Sequence, residues 1–504
     1  MVFRIDAVRV EGNTLLSPAT LDALLADLPG PSRTMSDLKQ AAARLQLAYR
    51  EAGYGGVLAF VPPQALGAGP VLIRVVEGKL AKVRVTGNRH FSAGNVRAGL
   101  PSLREGATPV VPSVDRDIQL SNENPSKHLR VTLTAGAQPG EIDAEVRVQD
   151  RNPWQFSLGY NNPGTEPTGR HRLSFGIQHA NLSDRDDVIS AQFQTSPGHF
   201  DQVKVYGLGY RLPVYARAAT LDAFLAHSDV SNGITQTLAG PLAFAGKGTV
   251  LGVRGNLHFD RRGDYDHRIG LGLDWRDYDN DCSYLSLGPL GTAACGPAAV
   301  SSHVLPLILS YTGQAQGVQS AWGINASLFA NLGGSDQSTF EAARPGASKH
   351  FSKTRFDAFG QLRLPAGFAL GGNIEAQYSP HALISGEQFG IGGAGSVRGY
   401  MERELAGDYG HAIRAELLGP SFGGDGLSLR PLLFVDHGRI AKRKGATCGA
   451  AGQAACSITG AGVGLRLRFS DRATASVEWA RAQDDAIHTS SGDRRAHVAI
   501  QLAF

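Results

Sequence analysis

Residues 494–504 read Arg494-Arg495-Ala496-His497-Val498-Ala499-Ile500-Gln501-Leu502-Ala503-Phe504. Val498, Ile500, Leu502 and Phe504 fall on one side of an extended chain; His497, Ala499, Gln501 and Ala503 fall on the other. A period of two marks a strand with one face against apolar surroundings. The same alternation recurs upstream. Trp154, Phe156, Leu158 and Tyr160 alternate with Gln155, Ser157 and Gly159. Trp322, Ile324, Ala326 and Leu328 alternate with Gly323, Asn325, Ser327 and Phe329. Over 368–378 the inner set is Ala369, Gly371, Asn373, Glu375 and Gln377, and Val463, Leu465, Leu467 and Phe469 enclose Gly464, Arg466 and Arg468.

A soluble β-sandwich alternates as well. Two features favour a membrane barrel. Aromatic residues sit at strand ends (Trp154, Tyr160, Trp275, Trp322, Tyr378, Trp479), as in an interfacial girdle. The inward set is polar and charged, including Arg254, Asp274, Arg276, Glu375, Arg414, Glu416, Arg466, Arg468 and Glu478. A water-filled lumen tolerates such groups and a packed core does not. Residues 151–504 divide into about sixteen strands, which fits membrane strands of roughly ten residues plus loops. The weakest alternation lies between Asn232 and Phe244.

The composition agrees. The 504 residues are 42% hydrophobic and 19% charged, with 63 Gly and a net charge of +4. No stretch approaches the roughly 18 uncharged apolar residues of a membrane helix. Glycine has no strict period, which excludes collagen, and the apolar content excludes a disordered chain. Lys and Arg form no runs, so a nucleic-acid footprint is not expected. The opening residues Met1-Val2-Phe3-Arg4-Ile5-Asp6 contain no apolar core of a signal peptide.

Residues 1–150 have a different texture. Val8-Arg9-Val10-Glu11-Gly12-Asn13, with Ser17 following, recurs 75 positions later as Val83-Arg84-Val85-Thr86-Gly87-Asn88, with Ser92 following. Each copy reads as a strand ending in a Gly-Asn turn, then a capping serine before a helix. In the first copy a helix starts at Ser17-Pro18. A second runs from about Ser36 to Ala52 and carries Leu38, Ala42, Leu45 and Tyr49 on one face. Strands come next near Val57–Val61 and Val71–Val76, and in the second copy near Leu129–Thr134 and Ile142–Val148. The expected architecture is α+β: two β-α-α-β-β units, 1–77 and 78–150, then an antiparallel transmembrane barrel over 151–504.

Four cysteines form two short-range pairs. Cys282 and Cys295 flank a Gly/Pro/Ala-rich stretch; Cys448 and Cys456 flank Gly449-Ala450-Ala451-Gly452. Both read as loops, where disulfides are natural in an oxidising compartment. A metal site is the rival reading, but neither spacing resembles a zinc knuckle and no histidine cluster accompanies them.

The densest motif is Gln388-Phe389-Gly390-Ile391-Gly392-Gly393-Ala394-Gly395-Ser396-Val397-Arg398-Gly399-Tyr400. Gly390, Gly392 and Gly395 match a dinucleotide fingerprint, which needs a strand before and a helix after inside a βαβ unit. The surrounding strand pattern denies it that setting. A flexible surface loop is the plain alternative. On the strand around 432–438, Phe434 and Asp436 face the lumen if Leu433 and Val435 face lipid. A lone lumen carboxylate calls for a cation, and Arg398 is the candidate on a loop long enough to fold inward. Otherwise Asp436 lines an aqueous channel. Gly419-Pro420-Ser421-Phe422-Gly423 matches the G-x-S-x-G pattern, but Gly424-Asp425-Gly426 and the strand after it make this a hairpin turn and not a nucleophile elbow. Asp436 and His437 point to opposite faces and cannot share a site. No catalytic residue, cofactor or metal ligand is expected.

These residues resemble the two-partner secretion transporters (TpsB proteins) of the outer-membrane insertase and transporter superfamily. The two repeats resemble POTRA domains. Gly392, Gly393, Ser396, Val397, Arg398, Gly399 and Tyr400 match the family's inward-loop motif, and Phe434, Asp436 and Gly438 match its barrel-wall motif. The resemblance implies that the sixth extracellular loop folds into the barrel and that Arg398 is held against Asp436. It implies an outer-membrane location with periplasmic POTRA units, and Phe504 as the barrel-assembly signal. The implied partners are a secreted adhesin or cytolysin, outer-membrane lipid and the barrel-assembly machinery, around a monomeric barrel. Family members carry a signal peptide and a plug helix ahead of the first POTRA unit; the numbered sequence starts almost at that unit's first strand. An insertase for other outer-membrane proteins is the rival, and its usual larger number of POTRA units argues against it. A passive porin leaves the POTRA repeat without a purpose, and an outer-membrane hydrolase needs a lipid-facing Ser/His pair that the sequence does not offer.

Overall fold

The computed structural model describes residues 2–65, 70–166, 168–229, 233–237, 240–244, 247–280, 296–424, 426–448, 452–470 and 472–504. Two compact units result: Met1–Arg151 with Asp260–Arg262, and Asn152–Phe259 with Gly263–Phe504.

The first unit contains the β-α-α-β-β motif twice. In the first copy Val71–Glu77 lies between Val8–Glu11, to which it is parallel, and Val57–Phe60, to which it is antiparallel. In the second, Glu141–Asp150 takes the same central place between Lys79–Thr86 and Lys127–Ala135. A parallel pair needs a crossover. Helices Pro18–Leu25 and Met35–Glu51 supply it in one copy, Ala93–Ala98 and Val111–Asn122 in the other. Ser17 and Ser92 cap their helices as expected, and Thr34 forms a capping box with Asp37. Leu38, Ala42, Leu45 and Tyr49 are buried in the first core. An extra two-stranded sheet, Val2–Ile5 with Gly30–Thr34, is also present.

The repeated Gly-Asn turn has a common mechanism. Gly12 has φ +88°, and a Cβ there would stand 2.1 Å from the Val75 carbonyl oxygen; Gly87 has φ +83° and would meet the Val148 oxygen at 2.4 Å. Only glycine fits both demands. Asn13 Nδ2 donates to Leu16 O at 2.9 Å, as Asn88 Nδ2 does to Phe91 O. The last strand of each copy then supplies a carboxylate to the turn. Glu77 accepts from Thr14 N at 2.7 Å and Leu15 N at 3.0 Å; Asp150 accepts from Arg89 N and His90 N, each at 2.8 Å.

The second unit is a closed barrel of sixteen antiparallel strands, each bonded to its sequence neighbour, from Trp154–Asn161 to Arg494–Ala503. Closure pairs Ala499 with Asn161 and Ala503 with Ser157. Beyond it, Phe504 N donates to Phe156 O at 2.9 Å. The outward set is apolar and exposed, as lipid requires: Leu433, Val435, Val463, Val477 and Ile500 all point out, with Trp154, Trp275, Trp322, Tyr378 and Trp479. The region of weakest alternation is not a barrel strand. Among the described residues, Gly233–Thr237 and Gly240–Phe244 pair only with each other, as a separate hairpin. The G-x-S-x-G stretch lies in the turn between Tyr409–Leu418 and Leu427–Ala441, partly as the short strand Phe422–Gly424 on the latter. Cys448 and Cys456 form a disulfide, whereas Cys282 and Cys295 lie outside the described residues.

Partial burial opposes ionisation of Glu77, but the bonds from Thr14, Tyr49 and Leu15 outweigh it and hold the carboxyl below the usual glutamate range. A lowered folded-state pKa means that its stabilisation is complete above the ordinary value of 4.5 and is lost as pH falls through the lowered one. Hydrogen-exchange protection at the Thr14 and Leu15 amides, normalised to intrinsic rates, should therefore fall on acidification below that value. Glu77→Gln should lower the protection already at neutral pH and flatten its acid dependence.

Candidate functional site

The connection 379–408, between Ala369–Tyr378 and Tyr409–Leu418, carries the densest sequence motif. It contains a small hairpin, Phe389–Ile391 with Leu405–Gly407. Phe389, Ile391, Val397, Tyr400 and Leu405 are buried against the wall residues Ala412, Ile440, Ile458 and Ala482. These wall residues lie on the inward set of their strands, so the loop is folded into the lumen.

Its turn is closed by Ser396, whose hydroxyl accepts from Gly392 N at 2.8 Å and donates to Gly392 O at 3.0 Å. A Cβ on Gly393 would stand 2.1 Å from the carboxyl carbon of Glu402, whose carboxylate accepts from Ala394 N at 2.9 Å. Arg398 comes next and is 1% exposed. Its Nε and Nη2 donate to the two oxygens of Asp436, each at 2.7 Å, and its backbone N donates to Asp436 Oδ2 at 3.1 Å. Nη1 lies 2.9 Å from Glu416 Oε1 and 3.2 Å from Glu478 Oε2. The guanidinium carbon is 3.5 Å from the centroid of the Phe434 ring. Gly399 N donates to His497 Nε2 at 3.1 Å. The Tyr400 hydroxyl lies 2.9 Å from the Thr459 carbonyl oxygen and accepts from Asp484 N at 3.0 Å.

The wall motif has a direct physical role. Phe434, Asp436 and Gly438 share one face of Leu427–Ala441: an aromatic plate under the guanidinium, a bidentate anion, and a gap. A Cβ on Gly438 would stand 2.9 Å from both Val397 and Ile391. The next strand makes the closest approach. A Cβ on Gly460 would stand 1.9 Å from the Arg398 carbonyl oxygen, so the loop backbone sits directly on a side-chain-free wall.

A second clasp was not apparent from the sequence. Glu387, fully buried in the same loop, accepts from the Tyr278 hydroxyl at 2.6 Å and from Arg276 Nη1 at 3.0 Å, and pairs with Lys353. Arg276 also binds Asp274 at 2.8 Å, and Asp274 pairs with Arg254. This chain of alternating charge holds the loop to Tyr265–Asp279 and Ser352–Arg363, whereas Arg398 holds it to strands between 409 and 503. Asp274 and Arg276 were legible as inward charges; Glu387 carried no signal beyond its place beside the motif. For Glu416 and Glu478, lumen orientation was the signal. For the seat itself it was the run Gly460, Gly462 and Gly464 on the inward face of one strand.

A model of the haemolysin secretion/activation protein family ShlB/FhaC/HecB matches residues 140–467. The chain belongs to the ShlB/FhaC/HecB family. A ShlB-type POTRA domain model matches residues 3–78. The haemolysin transporter ShlB of Serratia marcescens is 27% identical over 458 residues, covering 87% of this chain and 76% of that protein. CdiB of Dickeya dadantii (strain 3937), an outer-membrane transporter, is 22% identical over 82% of this chain and 72% of its own. The solved CdiB from Escherichia coli superimposes with a TM-score of 0.82 at 19% identity, covering 100% of this chain and 91% of that one. CdiB from Acinetobacter baumannii gives 0.75 at 16%, covering 100% and 90%. This ShlB/FhaC/HecB member is an outer-membrane transporter of the two-partner secretion type, with its POTRA region in the periplasm.

Glu387→Gln leaves Arg276 and Lys353 without their shared anion. Breaking one partner of a buried pair costs about 3–5 kcal/mol. The variant should keep its strands and disulfide, while protease cleavage within 379–408 of the purified protein rises by an order of magnitude or more.

Proposed function

We propose that the POTRA units, residues 1–77 and 78–150, capture an unfolded exoprotein, which then leaves the cell through the lumen of the barrel, residues 151–504. The observation that carries this reading is the loop 379–408 inside the lumen, seated by ion pairs on a polar wall, in a barrel wide enough for an aqueous passage.

Capture has a physical route. Val57–Phe60 and Lys127–Ala135 are edge strands of their sheets, bonded on one side only among the described residues. An extended segment adds to such an edge through backbone bonds, which gives affinity tolerant of sequence. Beside the first edge is a cavity of about 440 Å³ lined by Met35, Lys39, Ala42, Phe60, Val61 and Pro62. Its apolar lining suits alternate side chains of the added strand. Folding of the exported chain outside removes the unfolded form from the equilibrium and gives direction without nucleotide.

The substrate is a large β-helical adhesin or cytolysin. The barrel acts as a monomer without a cofactor or catalytic step, and its insertion uses the barrel-assembly machinery, with Phe504 as the signal. Arg398 and Asp436 hold the loop in its working position.

Two measurements test this. Loss of the gene should remove one large protein from the culture supernatant and leave other outer-membrane barrels unchanged; a broad fall in those barrels would instead mark an assembly factor. Arg398→Ala should reduce export at least tenfold while the barrel remains heat-modifiable in the membrane. Normal export by that variant would sink the role given to the clasp.

A further inference from the structure

The lumen clasp uses every carboxylate but one that its side of the barrel offers. In the strands 369–378, 409–418, 427–441, 455–469, 473–482 and 494–503 the acidic residues are Glu375, Glu416, Asp436 and Glu478. All four lie in the inward phase, and three of them surround Arg398. The outward phase of the same strands carries base and no acid. Arg439 is in phase with the exposed Leu433 and Val435, Arg481 with Val477 and Trp479, Arg494 with Val498 and Ile500, and His411 with Ile413.

These basic residues share one level. The chain enters the barrel at Trp154 from the periplasmic POTRA region, so odd strands run outward and even strands return. Arg439 and Arg481 come late in outgoing strands, and His411 and Arg494 early in returning ones. All four therefore lie at the extracellular ends. Arg481 stands two residues beyond the exposed Trp479, or roughly 7 Å along the strand. Arg443 in the adjoining loop lies over the girdle residues Tyr409 and Tyr378, 4.5 and 5.4 Å from their centroids.

The sheet register sets these basic residues against one another. His411 is directly opposite Arg439, and Arg481 directly opposite Arg494, each pair on the outer face. Arg481 and Arg494 are the like-charge pair, and like charges directly opposite destabilise a sheet unless an anion lies between them. Among the described residues Arg439, Arg481 and Arg494 have no ion pair. The neighbouring loop 483–493 carries Asp484, Asp485 and Asp493; Asp485 accepts from Ser491 N and Asp493 from Ser490 N, and among the described residues none of the three forms an ion pair with Arg481 or Arg494. The loop 442–454 brings Lys442, Arg443 and Lys444 and no acid. The opposite wall is different: there Asp229 faces out with Lys247 as its partner.

We infer that this outward basic face, centred on Arg481 and Arg494 with Arg439 and His411 beside them, binds the phosphorylated headgroups of outer-leaflet lipid. The apolar belt below takes the acyl chains. The arginines stand at headgroup height, and a doubly charged phosphate offers the shared counter-ion that two opposed guanidiniums require. The site is distinct from the lumen and requires only that the barrel sits in the outer membrane.

The full chain, purified in detergent, would be titrated with bisphosphorylated lipid A, with its dephosphorylated counterpart and with inorganic pyrophosphate, and bound lipid counted by native mass spectrometry. Removing one arginine near an anionic lipid surface costs about fivefold in affinity, so Arg481→Gln with Arg494→Gln should weaken lipid A binding by roughly twentyfold or more. The double Lys variant should retain most of it, and Arg472→Gln, in a periplasmic turn, all of it. Heat-modifiability checks folding; if the double Gln variant fails it, Arg439→Gln alone should still weaken binding about fivefold. Equal binding of the dephosphorylated lipid, or unchanged binding by the folded Gln variants, overturns the inference. Pyrophosphate binding as tightly as lipid A also overturns it, in favour of a free-phosphate site.

Discussion

A guanidinium 1% exposed in the middle of a barrel sets the terms for everything around it. Arg398 cannot be deprotonated at any accessible pH, so its charge must be met in place. Asp436 meets it with both oxygens, Glu416 and Glu478 stand at the remaining nitrogen, and Phe434 lies under the plane. Those four residues come from three different strands, so the clasp needs the register of the sheet to be right on each. A slip of one residue would turn every partner to the lipid face. The same geometry forces glycine at 460, where the loop backbone touches the wall, and small volume at 438, where Val397 and Ile391 enter.

The POTRA region solves a smaller problem by the same means. A tight turn leaves backbone amides without partners, and a carboxylate from a distant strand collects them: Glu77 in one copy, Asp150 in the other. The side chain differs in length, and the turn differs in its third residue, Thr14 against Arg89. What is held constant is the glycine under a carbonyl and the asparagine closing its own loop. Keeping these in both copies and varying the rest is what packing constraints alone would produce, because a Cβ on either glycine would stand under 3 Å from a carbonyl oxygen and each asparagine closes its turn with a bond of 2.9 Å.

This difference in scale explains what the sequence made legible. Strand alternation is local, so the barrel and its inward charges could be read from residue spacing. The capping serines at 17 and 92 were local as well. The second helix of the second copy, Val111–Asn122, follows Val110 without a side-chain cap and has Pro112 in its first turn, so no capping residue marks its start in the sequence. Gly233–Thr237 and Gly240–Phe244 have strand-like composition but, among the described residues, pair only with each other, a choice made by neighbours and not by spacing. Asp436 was readable as a lumen acid in want of a cation because its strand neighbours are apolar. Glu387 was not: its partners Arg276, Tyr278 and Lys353 lie on two other strands, and nothing within a dozen residues of it reports them.

Ion pairs and apolar contacts hold this loop together: Phe389, Ile391, Val397, Tyr400 and Leu405 are buried against the wall, and Arg398 and Glu387 pair with it. Burying apolar surface stabilises in proportion to area, about 25 cal/mol per Å², and all of it is lost when the loop moves into water. Ion pairs behave otherwise. A buried pair breaks close to even against hydration of the separated charges, because the desolvation penalty nearly cancels the attraction. Removing one partner is expensive; separating both into water is not. The Arg398–Asp436 and Glu387–Arg276 pairs therefore fix position at little cost in free energy, provided that both sides of each pair can hydrate, while the apolar contacts add depth. The polar, charged wall of this barrel supplies that condition, with Arg355, Asp357, Glu375 and Arg414 lining it beside the seat. The ion pairs therefore decide where the loop sits, and the apolar contacts supply most of what keeps it there.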